Sequence, residues 1–300
     1  MRGSEEQLYS LKATLQVFMR GPEERALQPE DNFRGHDSRG RRGALQPRNT
    51  ILLALCKLRH NFPEEDLGVR FGVDHSTVSR IFSCWLETLD ACMQEIPIWP
   101  SKEETQALMP AAFRSKYGNT RVIIDAAEIE IDQPKNPDTQ SETWSQCKSR
   151  NTLKFLLAVT PNGTPCFVSK CYGGRISDKE ITKRSGLLEP TADGVSRFEA
   201  GDAIMADKGF DVYDLFRSHD IELNHPPFLR GINQFSEEQL VETRRIASLR
   251  IHVERAIERI KNYRIMDHIP ANLCNSGSRL VRVCTFLTTL MPPLLPFDNI

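Results

Sequence analysis

Apolar and polar residues alternate in two ways along the chain, with helical spacing before residue 100 and a mixture of strand and helix spacing after residue 120. Residues 1–20 show helical spacing and predict a short amphipathic helix. The spacing disappears in 21–50, where Gly, Pro, Arg and polar residues dominate, so we predict a flexible linker. A second helical pattern, beginning with ILLALCKLRH, occupies 51–95 and predicts a small all-helical domain.

Within this helical segment, the sequence NFPEEDLGVRFGVDHSTVSRIF is typical of a helix-turn-helix. Pro63 and three acids after it favour a helix start, because a missing N–H costs nothing there and acids suit the positive helix end. Gly72 permits a tight turn, and Asp74 is placed to cap the next helix. The apolar residues predicted to form a shared core are Leu67, Val73, Val78, Ile81 and Phe82.

The start of the second helix presents small polar residues and one arginine. They are His75, Ser76, Thr77, Ser79 and Arg80. A helix tip of this composition suits the major groove of DNA, where such side chains reach base edges. We predict that these residues bind DNA. The competing interpretation is a three-helix scaffold that touches no DNA.

Beyond residue 120 the pattern predicts a mixed α/β domain. Strands are expected at 121–131, 153–160, 164–172, 202–206 and 221–224, and helices near 178–188, 210–217, 237–262 and 277–290. Three antiparallel strands followed by alternating helices and strands is the element order of the ribonuclease H-like fold. In that fold the first and fourth strands are neighbours.

Three acidic residues stand out in this domain. Asp125 interrupts the apolar run RVIIDAAEIEI, Asp207 ends the run AIMAD, and Glu254 lies in the long helix. A carboxylate in an apolar strand is costly unless it is paired or bound to a cation. Carboxylates brought together from two strands and a helix can share two hard divalent ions, which prefer oxygen ligands. We therefore predict a catalytic site with two Mg²⁺ or Mn²⁺ ions.

Three other residues compete for roles in this site. Asp178 is the alternative second ligand, but Ser177-Asp178 opens a helix and a capping role would explain it equally well. We favour Asp207 because it ends a strand. Glu128 lies at an odd offset from Asp125, so it should face the other side of the strand and act as a structural or salt-bridged acid. We expect His252 to pack or to contact phosphate rather than to bind metal.

The amino-acid composition excludes few classes of function. The chain has 300 residues and a formal net charge of -1, so any DNA affinity must come from local patches such as the basic residues of 242–264. Its eight cysteines form no CxxC pair and are expected to be reduced thiols in an intracellular protein, without a zinc site. No apolar stretch approaches the length of a membrane span.

Several sequence blocks resemble the DDE-superfamily endonucleases of Harbinger-type transposons and their bacterial insertion-sequence relatives. These blocks are IIDAAEI, WSQCKSRNT, YGGRISDKEIT, MADKGFD, PPFL, ETRRIASLRIHVERAI and RIKNYRI. The resemblance implies that Asp125, Asp207 and Glu254 are the catalytic metal ligands. It also implies that Arg250 and Lys261, on the face of Glu254, bind the phosphates of a DNA end. Ala126 and Ala127 depart from the family's usual Cys-Thr.

The predicted organisation is an N-terminal helix and linker (1–50), a helix-turn-helix domain (51–100) and a ribonuclease H-like endonuclease domain (118–293). The predicted function is a DDE transposase that cleaves DNA at transposon ends and joins the 3′-OH ends to target DNA. The alternatives are a domesticated transposase that acts as a DNA-binding or adaptor protein, or a cellular nuclease.

The resemblance further implies a homo-oligomer on DNA, with a DNA-binding partner protein as a possible addition and no membrane association. The expected location is the nucleus if the source is eukaryotic, and the cytoplasm otherwise.

Overall fold

The computed structural model describes residues 45–191, 194–207, 209–210, 212–226, 237–292 and 294. The predicted N-terminal helix, and the predicted linker up to residue 44, lie outside the described residues. Contacts divide the chain into two units. The first takes the described residues up to Ile96 with Tyr263–Ile265, and the second takes Pro97–Asn262 with the described residues from Met266 onward.

The first unit contains three helices: α1 (Pro47–His60), α2 (Glu64–Phe71) and α3 (His75–Gln94). Their shared core contains Leu53, Leu67, Val78 and Ile81, with Val73 partly buried against it. Trp85 on α3 donates its indole N–H to the Thr50 hydroxyl on α1 at 2.9 Å. The predicted linker end at residue 50 was wrong, because Pro47 already occupies the first turn of α1, where proline's fixed φ favours a helix.

The turn between α2 and α3 depends on two glycines. Gly72 ends α2 with a φ of 70°, a left-handed conformation that glycine adopts without strain. A Cβ at Gly68 would lie only 2.8 Å from the Val73 carbonyl oxygen, so the chain can pass close to α2 only because this side chain is absent. Asp74 caps α3 as predicted, accepting a hydrogen bond from the Ser76 N–H at 2.9 Å.

The second unit is a mixed α/β domain. Its helices are α4 (Lys102–Ala107), α5 (Ala111–Arg114), α6 (Pro137–Thr143), α7 (Asp178–Arg184), α8 (Tyr213–Arg217), α9 (Glu237–Lys261) and α10 (Gly277–Thr289). Its strands are β1 (Thr120–Ile131), β2 (Trp144–Ser145), β3 (Arg150–Val159), β4 (Pro165–Val168), β5 (Tyr172–Gly173), β6 (Ala203–Met205), β7 (Glu222–Asn224) and β8 (His268–Ile269).

The sheet has the order β2-β3-β1-β6-β7, with β4 and β5 also paired to β3 and β8 paired to β1. β1 and β3 run antiparallel, whereas β6 pairs with β1 in parallel and β7 with β6 in parallel. The predicted adjacency of the first strand and the strand near 202–206 is therefore confirmed. The domain has the ribonuclease H-like fold that the element order predicted, preceded by the all-helical unit.

The predicted third strand at 164–172 is split into β4 and β5. The break occurs at Ser169, whose hydroxyl accepts the Leu156 N–H at 2.9 Å in place of a main-chain carbonyl. A side-chain acceptor of this kind interrupts the regular ladder without leaving a buried N–H unpaired.

The two faces of β1 have different neighbours. Val122 and Ile124 point into an apolar core that also contains Ile181 and Phe216, which lie on α7 and α8. The long helix α9 packs against β1 and β3, and α10 packs against α9. Asp125 follows Ile123, not Ile124, in the alternation of β1, so it lies on the face opposite the α7–α8 core.

Candidate active site

Asp125 lies in the middle of β1, beside Asp207, which follows the end of the neighbouring parallel strand β6. Ile123 on β1 pairs with Met205 on β6. Each aspartate lies two residues beyond its member of this pair, so side chains at both positions are directed to the same face if the strand alternation continues. The charge of Asp207 contributes to the pKa of Asp125, which confirms that the two carboxylates are close.

The helix α9 brings three predicted site residues to one edge of its buried face. At about 100° per residue, Glu254 and Lys261 lie within about 40° of Arg250 around the helix axis. Arg250 is buried, Lys261 is half-buried and Glu254 is exposed, so the three mark the transition from core to solvent. The start of this helix is held by Lys116 and Tyr117, which both bond to the carboxylate of Glu242.

Arg250 forms an ion pair with Asp207. Its Nη1 atom lies 3.0 Å from Asp207 Oδ1, and the arginine side chain is 8% exposed whereas that of the aspartate is 51% exposed. The sequence predicted Arg250 as a phosphate-binding residue, but in this structure the guanidinium is engaged with a predicted metal ligand. A nearly buried guanidinium needs such a partner, because burying an unpaired charge is costly.

The carboxyl group of Asp125 has an unusual protonation equilibrium. Burial raises its pKa to about 6, and the negative charges of Asp207 and Asp178 act in the same direction. The Arg250 guanidinium and the hydrogen bond from the Ala126 N–H, at 2.8 Å, oppose this effect. The Arg250 charge therefore does not offset the cost of burying the ionised carboxylate. A further cation beside Asp125 would favour the ionised form.

Lys261 belongs to the same electrostatic cluster. Burial and the nearby charge of Lys148 lower its pKa, while Glu128 and Asp125 raise it. The charge of Asp125 is thus one of the influences on Lys261.

Asp178 also reaches the site. Its Oδ1 atom lies 2.8 Å from Lys154 Nζ, and its Oδ2 atom would lie 3.3 Å from a Cβ at Gly209. Ser177-Asp178 opens α7 as predicted, with Ser177 as the cap that accepts the Glu180 N–H and Asp178 in the first turn. The charge of Asp178 also raises the pKa of Asp125, but its ion pair is with Lys154, the strand partner of Glu128, and it stays the alternative second ligand.

Glu128 has the structural surroundings that its odd offset predicted. Its Oε2 atom accepts a hydrogen bond from the Thr152 hydroxyl at 2.8 Å, and Oε1 lies 4.0 Å from Lys154 Nζ. Lys154 pairs directly with Glu128 across β1 and β3. Our sequence reasoning missed Lys154 as a site residue. The available signal was its position in the apolar run LKFLLAV, where a buried lysine requires an acidic neighbour.

His252 lies away from the carboxylates. It is buried on α9, about 160° around the helix axis from Glu254, and burial lowers its pKa. Its ring lies 6.5 Å from that of Phe113. The expectation that His252 packs rather than binds metal agrees with this position.

The carboxylates of the candidate site are of the type that binds divalent metal ions, but they are not grouped closely enough to form a metal site. Asp125, Asp207 and Glu254 offer only oxygen ligands, which suit Mg²⁺ and Mn²⁺. Among the described residues, however, no three His, Cys, Asp or Glu side chains are grouped closely enough to hold a metal ion. The pKa of Asp125, which is raised chiefly by burial, supports the fit, because a bound cation would favour the ionised form that burial disfavours.

The predicted DNA-reading residues lie at the start of α3 in the first unit. His75, Ser76 and Arg80 are exposed, and Thr77 and Ser79 are half-buried. A nitrogen of the Arg80 guanidinium donates to the Thr77 hydroxyl at 3.2 Å, which holds the arginine along the helix surface. The five residues therefore lie together at one helix end, as the sequence predicted.

Both units match known protein families. A family model described as DDE superfamily endonuclease matches residues 124–289, more than half of the chain, so the chain belongs to the DDE superfamily endonucleases. A model described as the helix-turn-helix of DDE superfamily endonuclease matches residues 43–95. No curated protein was found with significant sequence similarity to the chain.

These matches confirm the predicted family and its DNA-binding helix-turn-helix; the Harbinger-type subgroup stays a prediction. None of the helices that the structure describes has both the length and the apolar character of a membrane span.

Proposed function

We propose that the protein is a metal-dependent transposase that cleaves DNA at transposon ends and joins the resulting 3′-OH ends to target DNA. The observation that carries this proposal is the proximity of Asp125 and Asp207 on neighbouring parallel strands, beside the helix face that carries Arg250, Glu254 and Lys261. Family membership supports the nuclease activity, and the strand transfer and the metal requirement are the steps that we add.

In the proposed site, Asp125, Asp207 and Glu254 hold two divalent ions, Mg²⁺ or Mn²⁺. When bound, such ions activate a water molecule as the nucleophile and stabilise the leaving 3′ oxygen. Asp125 would serve as an ionised ligand, a form that its burial disfavours until positive charge arrives. Glu254, being exposed on α9, is the carboxylate that would have to approach the other two.

Arg250 and Lys261 would bind the DNA strand at this site. Both lie on the α9 edge that carries Glu254, and their charges would counter the negative charge that develops at the scissile phosphate. Arg250 is paired with Asp207 at 3.0 Å. It could turn toward a phosphate only if another cation replaced it as the partner of the aspartate.

The helix-turn-helix would recognise the transposon end through the start of α3. Arg80 is the residue best suited to read a base edge, because its guanidinium can donate two hydrogen bonds to guanine. We further propose that the protein acts as a homo-oligomer on DNA, in the nucleus if its source is eukaryotic. A separate DNA-binding protein that assists end recognition remains part of this proposal.

The proposal is tested by nicking of a plasmid that carries the DNA flanking the coding region. Cleavage should require Mg²⁺ or Mn²⁺, be poorly supported by Ca²⁺ and stop with excess chelator. Asp125→Ala, Asp207→Ala and Glu254→Ala should each abolish cleavage and strand transfer while duplex binding survives. Asp214→Ala, an exposed aspartate of α8, is the matched control and should cleave normally.

Two results would contradict the proposal. Full cleavage in excess chelator would exclude metal-dependent chemistry, and cleavage above about a tenth of the parental rate in one of the three variants would exclude that residue as a ligand. If no cleavage appears with any metal, the protein is a DNA-binding protein without catalysis.

A further inference from the structure

A groove in the second unit lies outside the candidate active site. Six residues line it: Pro137, Gln140, Ser141, Trp144, Gln146 and Arg175. Its volume is about 420 Å³, within the range of roughly 300–1,000 Å³ that is usual for small-molecule sites. The lining contains one flat aromatic ring, one cation, several neutral hydrogen-bonding groups and no carboxylate. This combination suits a flat, polar-edged group attached to an anionic chain.

Trp144 is the aromatic residue among the six that line the groove. It is 42% exposed, although tryptophan offers more apolar area for burial than any other side chain. The other two tryptophans, Trp85 and Trp99, are half-buried, and their indole N–H groups donate to Thr50 and to the Arg197 carbonyl. An exposed tryptophan beside a groove is thus an available stacking surface.

Strand pairing and hydrogen bonds hold the backbone around Trp144 in place, which restricts where the indole ring can lie. Trp144 pairs with Asn151 in the β2–β3 hairpin. The buried Asn151 side chain donates to the Gln140 carbonyl at 2.9 Å and to the Thr143 hydroxyl at 2.8 Å. Arg175 is tied to the same region, since its guanidinium donates to the Ser141 hydroxyl at 3.1 Å. Rigid surroundings reduce the entropy lost when a ligand binds.

Two basic residues, Lys148 and Arg150, follow Trp144 at the end of the β2–β3 hairpin. Lys148 lies four residues after Trp144, and its charge is one of the causes that lower the pKa of Lys261. Arg150, which closes the hairpin, is exposed and ion-paired with Glu130. The end of the β2–β3 hairpin beside the groove therefore carries positive charge that can attract the DNA backbone.

The distance along the sheet can be estimated from the strand register. Asp125 pairs with Leu157 of β3, whereas Trp144 pairs with Asn151 of the same strand. Six residues at about 3.3 Å each give a separation of about 20 Å. This is about six nucleotides of a stacked strand at 3.4 Å each, and fewer if the strand is extended.

We propose that Trp144 and this groove bind an unpaired DNA base, located about three to six nucleotides from the phosphate at the candidate active site. The base stacks on the indole ring, Gln140 and Gln146 are placed to bond its edge, and Arg175 faces the adjoining phosphate. Stacking tolerates any base, because every base has an aromatic face. The inference rests on the proposed DNA-cleaving function, since that function supplies the strand.

The first test measures binding of the full chain to fluorescein-labelled dT15 by anisotropy, without divalent metal so that no DNA is cleaved. Trp144→Ala should weaken binding about 5- to 100-fold, the range expected for loss of one base–aromatic stack. Trp144→Phe should recover most of the affinity. Tyr213→Ala removes a comparably exposed aromatic residue, 51% exposed on α8, and should bind like the parental protein.

The second test locates the base. A series of substrates carries 2-aminopurine at successive positions on each side of the cleavage point. Its fluorescence should be quenched by the parental protein at one position three to six nucleotides away, and not by Trp144→Ala. Addition of dT15 should also quench the intrinsic tryptophan fluorescence of the parental protein but not that of Trp144→Phe.

Unchanged dT15 affinity in Trp144→Ala, or equal losses in Trp144→Ala and Tyr213→Ala, would overturn the inference. The result is separable from the proposed function. If the plasmid is nicked normally and Trp144→Ala binds dT15 normally, only the groove assignment fails. If no metal supports nicking but Trp144→Ala still loses dT15 affinity, the groove binds bases and only the catalytic proposal fails.

Discussion

Replacement of Asp125 by asparagine should stabilise the metal-free protein at neutral and alkaline pH. Burial raises the pKa of Asp125 to about 6 from its ordinary 3.8, so the folded state holds this proton more tightly than the unfolded state. The stability contributed by the raised pKa is fully present below about pH 4 and is lost as the pH rises through 6. Asparagine has the same shape, keeps an acceptor oxygen for the Ala126 N–H and carries no charge.

The magnitude follows from the same pKa. At about 1.36 kcal/mol for each pH unit, the interval from 3.8 to about 6 corresponds to about 3 kcal/mol. The Asp125 side chain is partly exposed, so solvent screens part of this effect and we expect about 1–2 kcal/mol at pH 8. For a chain of this size, about 1 kcal/mol shifts the melting temperature by roughly 2–4 °C. The expected increase is therefore about 2–8 °C.

The assay is thermal unfolding in chelator between pH 4.5 and pH 8, comparing the parental protein, Asp125→Asn and the exposed control Asp214→Asn. The advantage of Asp125→Asn should grow about threefold across this range and level off above pH 7. In excess Mn²⁺ the difference should shrink or reverse, because the metal stabilises the state that binds it and the variant lacks one anionic ligand. A variant that is less stable than the parental protein at pH 8 in chelator, or a gain independent of pH, would refute the reasoning.

Three further predictions concern single residues. Asp178→Ala should slow cleavage less than Asp207→Ala; the opposite order would make Asp178 the second ligand. Arg80→Ala should weaken binding to transposon-end duplex about 5- to 100-fold in a mobility-shift assay, unlike the exposed control Arg70→Ala; equal loss on all sequences would indicate a phosphate contact. Gly68→Ala should destabilise the helical unit by about 1–3 kcal/mol, because its Cβ would lie 2.8 Å from the Val73 oxygen. An unchanged urea midpoint would contradict that close approach.

The sequence predicted the main strands but not the two-residue strands β2, β5 and β8, because strand alternation and turns are local signals that such short strands do not give. The run around Asp125 could only be a strand, and the fold order placed the Asp207 strand beside it, as observed. The cap at Asp74 and the glycine turn at Gly72 were also predictable, since each depends on one residue and its immediate neighbours.

The ion pairs of the site could not be predicted in the same way. The pairing of Arg250 with Asp207 depends on how α9 is rotated and shifted against the sheet, which is determined by packing between residues distant in sequence. The same holds for Lys154 and Asp178, which come from β3 and from the start of α7. A helix pattern identifies which residues share a face, but it does not indicate which strand residue that face will meet.

The ion pairs of the candidate site couple the binding of metal to the binding of DNA. Asp207 is paired with Arg250 and Asp178 with Lys154, whereas the charge of Arg250 does not offset the burial of Asp125. If divalent ions bind at Asp125 and Asp207, as we propose, Arg250 and Lys261 become surplus positive charge at the site. Surplus cations that cannot leave the helix favour an anion, and the nearest suitable anion is the phosphate backbone of the substrate. Metal binding and DNA binding should therefore strengthen each other by the same factor, because coupling between two ligands is reciprocal.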